Sequence, residues 1–197
     1  MSTAPIKLNM KMYQGSTFNE VLRWESDTKV YKPITAISQS APIVVTSVGH
    51  GLTTGWRTKI TNVGGMKEIN STENYNVVTT LTSDTLTFND INSLAFTPYG
   101  TGGILEYYAP IDLTGYTARM QLRAKIDSTT TIDEYTSEGK IIIDNITKSI
   151  IILVPAIITA AYTFSTAVYS LEMVQTSTGT VTQVLTGTIT LIKEVTR

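Results

Sequence analysis

Cysteine is missing from all 197 residues, and histidine occurs once, at position 50. The first absence excludes disulfides and thiolate metal sites, and the second leaves little for a histidine-ligated centre. No metal and no cofactor is therefore expected. Charge is scarce as well: 16% of residues are charged, for a formal net charge of −1. It is spread evenly, at +2 over 1–34 (five basic, three acidic), −2 over 35–109 (three and five) and −1 over 110–197 (seven and eight). No segment has the basic surplus of a nucleic-acid or anionic-membrane binder, so neither partner is expected. Long apolar runs are lacking too. "SIIILVPAIITAAYTF" (Ser149–Phe164) falls short of the roughly 20 residues of a membrane helix and is broken by Pro155. Met1–Met12 holds no continuous apolar stretch of the kind a secretory signal needs. A soluble chain is expected.

What is present is β-forming. Hydrophobic residues make up 42%, enough for a core, and the length allows one ordinary domain or two small ones. Thr, Ile, Val and Tyr dominate. β-Branched and aromatic side chains suit a pleated, half-buried surface, and Thr loses rotamer freedom in a helix. Alternation is explicit in "YTARMQLR" (Tyr116–Arg123), where Ala118, Met120 and Leu122 share one face. "VYSLEMV" (Val168–Val174) repeats it with Tyr169, Leu171 and Met173. "TSTG" (Thr176–Gly179) supplies a turn, and Thr180–Val195 the returning strand, with Gly187 expected as a bend or bulge. Lys140–Val154 reads as two strands around a turn at Asp144–Asn145, and Ile6–Met12 and Phe18–Trp24 as two more strands around "YQGS". Only "PAIITAAY" (Pro155–Tyr162) reads as a short helix. The pattern predicts an all-β sandwich or barrel.

The middle third has a different texture. Residues 35–109 hold eight of the thirteen glycines. "VYKPI" (Val30–Ile34) precedes this segment and "YYAPI" (Tyr107–Ile111) closes it. Matching stubs predict an inserted module whose ends lie close together.

"QGSTFNEVLRW" (Gln14–Trp24), "PIDLTGYTARMQLR" (Pro110–Arg123) and "LTGTITLIKEVTR" (Leu185–Arg197) together resemble a class of bacteriophage virion proteins. The resemblance implies an immunoglobulin-like β-sandwich over 1–34 plus 110–197, closed by a hairpin and a short terminal strand ending in "EVTR". A fold of this type attaches the N-terminus of upper baseplate proteins to the tail in some tailed phages. The insert, through Val45–Val77, Ser83–Phe88 and Pro98–Gly103, resembles a small β-barrel module. That module is known by its similarity to the first catalytic-cysteine half-domain of ubiquitin-activating enzymes. With no cysteine and no nucleotide-binding motif, no ubiquitin chemistry follows.

Four features invite a chemical reading. His50, in "SVGHGLTTG", could be a general base or a turn residue; no carboxylate lies nearby to orient it, which favours the turn. "GHGLTTG" and "GTGG" (Gly100–Gly103) lack the P-loop ending and the strand–helix context of a phosphate cradle, so both read as turns. Asp133, Glu134 and Glu138 could suggest a glycosidase pair or a calcium loop; without EF-hand spacing, an exposed, mobile loop over Ser128–Gly139 is expected. Trp56, Tyr99, Tyr107 and Tyr108 could stack on carbohydrate, anchor a protein contact or pack the interior.

The expectation is a non-enzymatic virion structural protein docked in the tail or baseplate through its sandwich, with the insert displayed. Its partners would be other virion proteins and copies of itself in the particle. Two alternatives stand beside it: a capsid decoration or head-to-tail neck adaptor, and a receptor- or glycan-binding module acting through the insert.

Overall fold

The β-branched segments form strands almost throughout, and the computed structural model describes residues 4–71 and 73–195. The protein is all-β, and it divides into a discontinuous unit (Met1–Trp24 with Asp112–Arg197) and a continuous one (Glu25–Ile111). The discontinuous unit opens with β1 (Ile6–Lys7), β2 (Met10–Tyr13) and β3 (Phe18–Leu22). The continuous unit follows with β4 (Glu25–Pro33), β5 (Ala36–Ile37), β6 (Ile43–Thr46) and β7 (Arg57–Gly64). After a 3-10 turn (Lys67–Ile69) come β8 (Asn76–Val77), β9 (Thr79–Thr80), β10 (Thr85–Phe88) and β11 (Thr101–Pro110). The first unit resumes with β12 (Tyr116–Arg123), β13 (Asp133–Thr136), β14 (Ile141–Asp144) and β15 (Ser149–Val154). It ends with helix α1 (Ala156–Ala161), β16 (Thr166–Gln175) and β17 (Val181–Ile192). Among the described residues no helix is long and apolar enough to cross a membrane.

Two sheets build the discontinuous unit, one ordered β1-β17-β16-β12-β13 with β2 also on β17, the other β14-β15-β3. Period two works as the sequence predicts. Ala118, Met120 and Leu122 on β12 are buried, as are Tyr169, Leu171 and Met173 on β16. These pairs lie opposite one another in register, Met120 on Leu171 and Leu122 on Tyr169. Burying Met120, Leu122, Leu171 and Met173 contributes about 1.5–3 kcal/mol each. The β14–β15 hairpin turns where Asp144 accepts hydrogen bonds from the Ile146 and Thr147 N–H groups, although the turn extends to Lys148.

The continuous unit also has two sheets, β5-β6-β10-β9 and β4-β11-β7-β8. They share a core built on Ile43, Val45, Trp56, Ile60, Met66, Leu86, Phe88 and Leu105.

Several expectations need correction. The division falls at 24/25 and 111/112 rather than at 34/35 and 109/110. The reason is β4: it pairs with β11 from Pro33 on Ile104 to Glu25 on Pro110, so the stub "VYKPI" belongs to the continuous unit. Ile6–Met12 is two short strands, broken at Leu8–Asn9, and both run parallel to β17. The β16–β17 ladder bulges at Val184, between the Leu171–Leu185 and Glu172–Gln183 pairs, not at Gly187. Gly187 serves the neighbouring strand instead: a Cβ there would lie 1.9 Å from the Leu8 carbonyl oxygen. Leu8 sits that close because its N–H donates to the Thr186 carbonyl and its own carbonyl accepts from Tyr169 Oη at 2.7 Å. The predicted loop over Ser128–Gly139 contains β13, which pairs with β12 and buries Tyr135 completely. Strand β17 stops at Ile192, and the last two residues of the expected "EVTR" strand lie outside the described residues.

Candidate interaction surfaces

His50 stands in the turn between β6 and β7, but its side chain is interior, at 1% exposure. Nδ1 accepts from the Leu52 N–H at 3.0 Å, and Nε2 lies 3.1 Å from the Thr82 carbonyl. That pairing defines a neutral imidazole with its proton on Nε2. The backbone carbonyl of His50 accepts from Tyr107 Oη, and the Gly49 N–H donates to Asp84. Both ring nitrogens are thus spent on backbone. The histidine is an internal support of a glycine turn.

The three carboxylates do not converge. Asp133 and Glu134 are successive residues of β13, so they project to opposite faces. Asp133 pairs with Lys140 Nζ at 2.5 Å and accepts from Tyr162 Oη, which lies 3.0 Å from Tyr135 Oη. Burial pushes the Asp133 carboxyl up, but the hydrogen bonds from Lys140 and Tyr162 outweigh it and hold the group below its ordinary range. Burial raises both phenols well above theirs. Glu134 accepts from Gln121, and Glu138 is exposed in the following turn. Among the described residues no group of three or more His, Asp or Glu side chains could hold a metal ion.

The four aromatics separate too. Trp56 and Tyr107 are core, the first donating from Nε1 to the Tyr108 carbonyl. Tyr99 donates to the Gly102 carbonyl at 2.9 Å. Tyr108 alone faces outward from β11, and its ring partner is a residue outside the predicted set, Tyr75, at 6.1 Å and 29°.

Around that pair lies a cluster which the sequence does not announce. Glu106, on the same face of β11, is buried beneath Lys29 Nζ at 2.7 Å, Lys59 Nζ at 3.3 Å and Tyr75 Oη at 3.2 Å. The Lys29 hydrogen bond, followed by that of Lys59, draws its carboxyl below the usual range. Arg57 forks onto Glu25 at 2.6 and 2.7 Å and lies 5.6 Å from the Tyr75 ring; Lys29 lies 5.5 Å from that of Tyr108. The signal that could have located it is a lone carboxylate inside the apolar run "ILEYYAP" (Ile104–Pro110), which needs buried partners. Chemically this is a cation–tyrosine surface in which each of three cations is paired with one of two carboxylates.

No family model and no curated protein matches the chain. The described geometry therefore carries the functional argument, and a second surface bears on it. In the discontinuous unit the three-stranded sheet turns an apolar row outward: Ile151 of β15 is flanked by Val21 of β3 and Ile142 of β14, in register. Val21 is 46% exposed and Ile142 44%, and Leu153, two residues along β15, is also exposed. A contiguous apolar face of this kind suits association with another protein surface. The six-stranded sheet differs. Its outward side chains include paired polar groups, such as Arg119 with Glu172 at 2.7 Å and Gln121 with Glu134.

Proposed function

We propose that this chain is a non-enzymatic structural component of a tailed-phage particle, placed in the tail or baseplate. The discontinuous unit is read as an immunoglobulin-like sandwich of the six- and three-stranded sheets. The continuous unit is read as a small β-barrel module, its two four-stranded sheets enclosing one core. The observation that carries the proposal is the outward row Val21–Ile151–Ile142 with Leu153, which gives the sandwich an apolar docking face. The resemblance of Gln14–Trp24 and Pro110–Arg123 to virion proteins supplies the identity of the partner: a neighbouring tail protein or a second copy. The low charge suits docking by shape and apolar contact more than by electrostatic steering.

Labelling purified particles with an antibody against the chain tests this reading. Label at the tail or baseplate is expected. Label on the capsid or neck would move the assignment there, and particles without the chain would refute it. Val21→Lys with Ile142→Lys should reduce incorporation while leaving the isolated chain folded, because both side chains already reach solvent on the outer face of the sheet.

A further inference from the structure

A groove of about 470 Å³ lies in the continuous unit between Glu68, Ser71, Asn74 and Asn76 on one side and the β10–β11 connection on the other. That volume lies within the range of small-molecule clefts, about 300–1,000 Å³. Asn74, Asn76, Asp90 and Asn92 line it together with Ile91 and Phe96, and among the described residues no lysine or arginine does. We infer that this groove binds an uncharged carbohydrate. The inference concerns the unit opposite in role to the docking sandwich, and its test does not depend on where the chain sits in a particle.

Both walls are fixed by hydrogen bonds that leave the side chains of Asn76 and Asp90 unused. On one side, Asn70 accepts from the Val63 N–H and donates to the Val63 carbonyl, locking the 3-10 turn. On the other, Ser93 is fully buried and shares its single hydroxyl proton between the Ser38 and Ser40 carbonyls, and the Ile91 carbonyl accepts from the Ile43 N–H. Glu68 ties the walls together, accepting from the Thr97 N–H and hydroxyl at 2.9 Å each. Among the described residues, no protein group bonds the Asn76 side chain or the Asp90 carboxylate, and Asn92 uses only its oxygen, on the Leu94 N–H.

A sugar supplies what these groups lack. A carboxylate accepts from hydroxyls and a carboxamide both donates and accepts, so Asp90 with Asn76 and Asn92 suits neighbouring hydroxyl groups. Ile91 and Phe96, half-buried against the core, offer an apolar surface to the C–H face of a pyranose. Asp90 and Glu68, with no cation lining the groove, disfavour uronic and sialic acids.

The test is an amide-resolved NMR titration of the full chain with methyl glucoside, methyl galactoside and N-acetylglucosamine, run beside glucuronate and N-acetylneuraminate. At least one neutral sugar should saturate, with a dissociation constant on the order of 1 mM, and shift Asn74, Asn76 and Asn92. Asn76→Ala and Asp90→Ala should each weaken that binding about tenfold, the loss expected for one polar contact; Asp90→Asn, which keeps an acceptor, should restore most of it. Their unfolding midpoints should match the parent, since both side chains are exposed. The inference is overturned if no neutral sugar saturates, if shifts centre elsewhere, if the alanine variants bind like the parent, or if the anionic sugars bind more tightly.

Discussion

Replacing Gly187 with alanine probes the least tolerant contact in the discontinuous unit. Its φ is not in the left-handed region, so alanine meets no conformational penalty and the effect is steric alone. The added Cβ would lie 1.9 Å from the Leu8 carbonyl oxygen, 2.8 Å from the Leu8 carbonyl carbon and 3.2 Å from Asn9 Oδ1. Backbone cannot swing aside as a long side chain can, so the segment linking β1 and β2 must lift from β17. Lifting it breaks the Leu8 N–H bond to Thr186, the Tyr169 Oη bond to Leu8 and the two bonds from Thr188 to Asn9. At about 1 kcal/mol net for each bond, less what water restores at the exposed Asn9, the loss is about 2–4 kcal/mol. Urea unfolding monitored by fluorescence and circular dichroism measures it. The two units need not unfold together, so the shift belongs to the transition of the discontinuous unit alone. Tyr169→Phe should cost about 1 kcal/mol in the parent and almost nothing in Gly187→Ala, because the two changes remove the same bond. A Gly187→Ala midpoint within about 0.5 kcal/mol of the parent, or full additivity with Tyr169→Phe, would refute the steric argument.

Three further outcomes are expected. His50→Ala strands the buried Leu52 N–H and the Thr82 carbonyl, and should cost the continuous unit about 2–4 kcal/mol in thermal or urea unfolding, with the other unit unaffected. Asp133 has its carboxyl held below the ordinary range, so the unfolded chain binds that proton more readily; its stabilisation is complete above the unfolded carboxyl value of about 4 and is lost as pH falls through the folded one. Asp133→Asn should therefore flatten the acid limb of a stability–pH curve, and an unchanged limb would contradict this. Glu106→Gln should be milder than Glu106→Ala by about 1 kcal/mol, because the amide oxygen can still accept from Lys29 and Tyr75; equal melting temperatures for the two would count against the buried cluster.

Strands with one face inside announced themselves. Tyr116–Arg123 and Val168–Val174 alternate so regularly that their buried residues follow from the pattern, and Pro155 with its alanines marks the one α-helix among the described residues. Strand β4, "ESDTKVYKP", has mostly polar and exposed side chains, lies at a sheet edge and shows no alternation, so the true division at Trp24–Glu25 was invisible. β13 is hidden similarly: Tyr135 is its one fully buried residue, and its polar partners Asp133, Tyr162 and Lys140 are distant or unremarkable in the sequence. The charged tyrosine cluster depends on cross-strand neighbours from β4, β7 and β11 that no local pattern links. Gly187 stands out in the sequence as a break in a strand, but its purpose lies in the parallel neighbouring segment that contains Leu8.

That pairing also has a consequence in time. Strand β2 finds its partner only when Ile189–Ile192 has been made, and β3 only when Ser149–Val154 has. At a synthesis rate of about 5–20 residues per second, β2 waits about 10–40 seconds on the ribosome. Meanwhile the Glu25–Ile111 unit already has all of its own pairings. Strands β1 to β3 are thus made before the continuous unit yet find their places after it, so the Glu25–Ile111 segment can fold ahead of the one that precedes it.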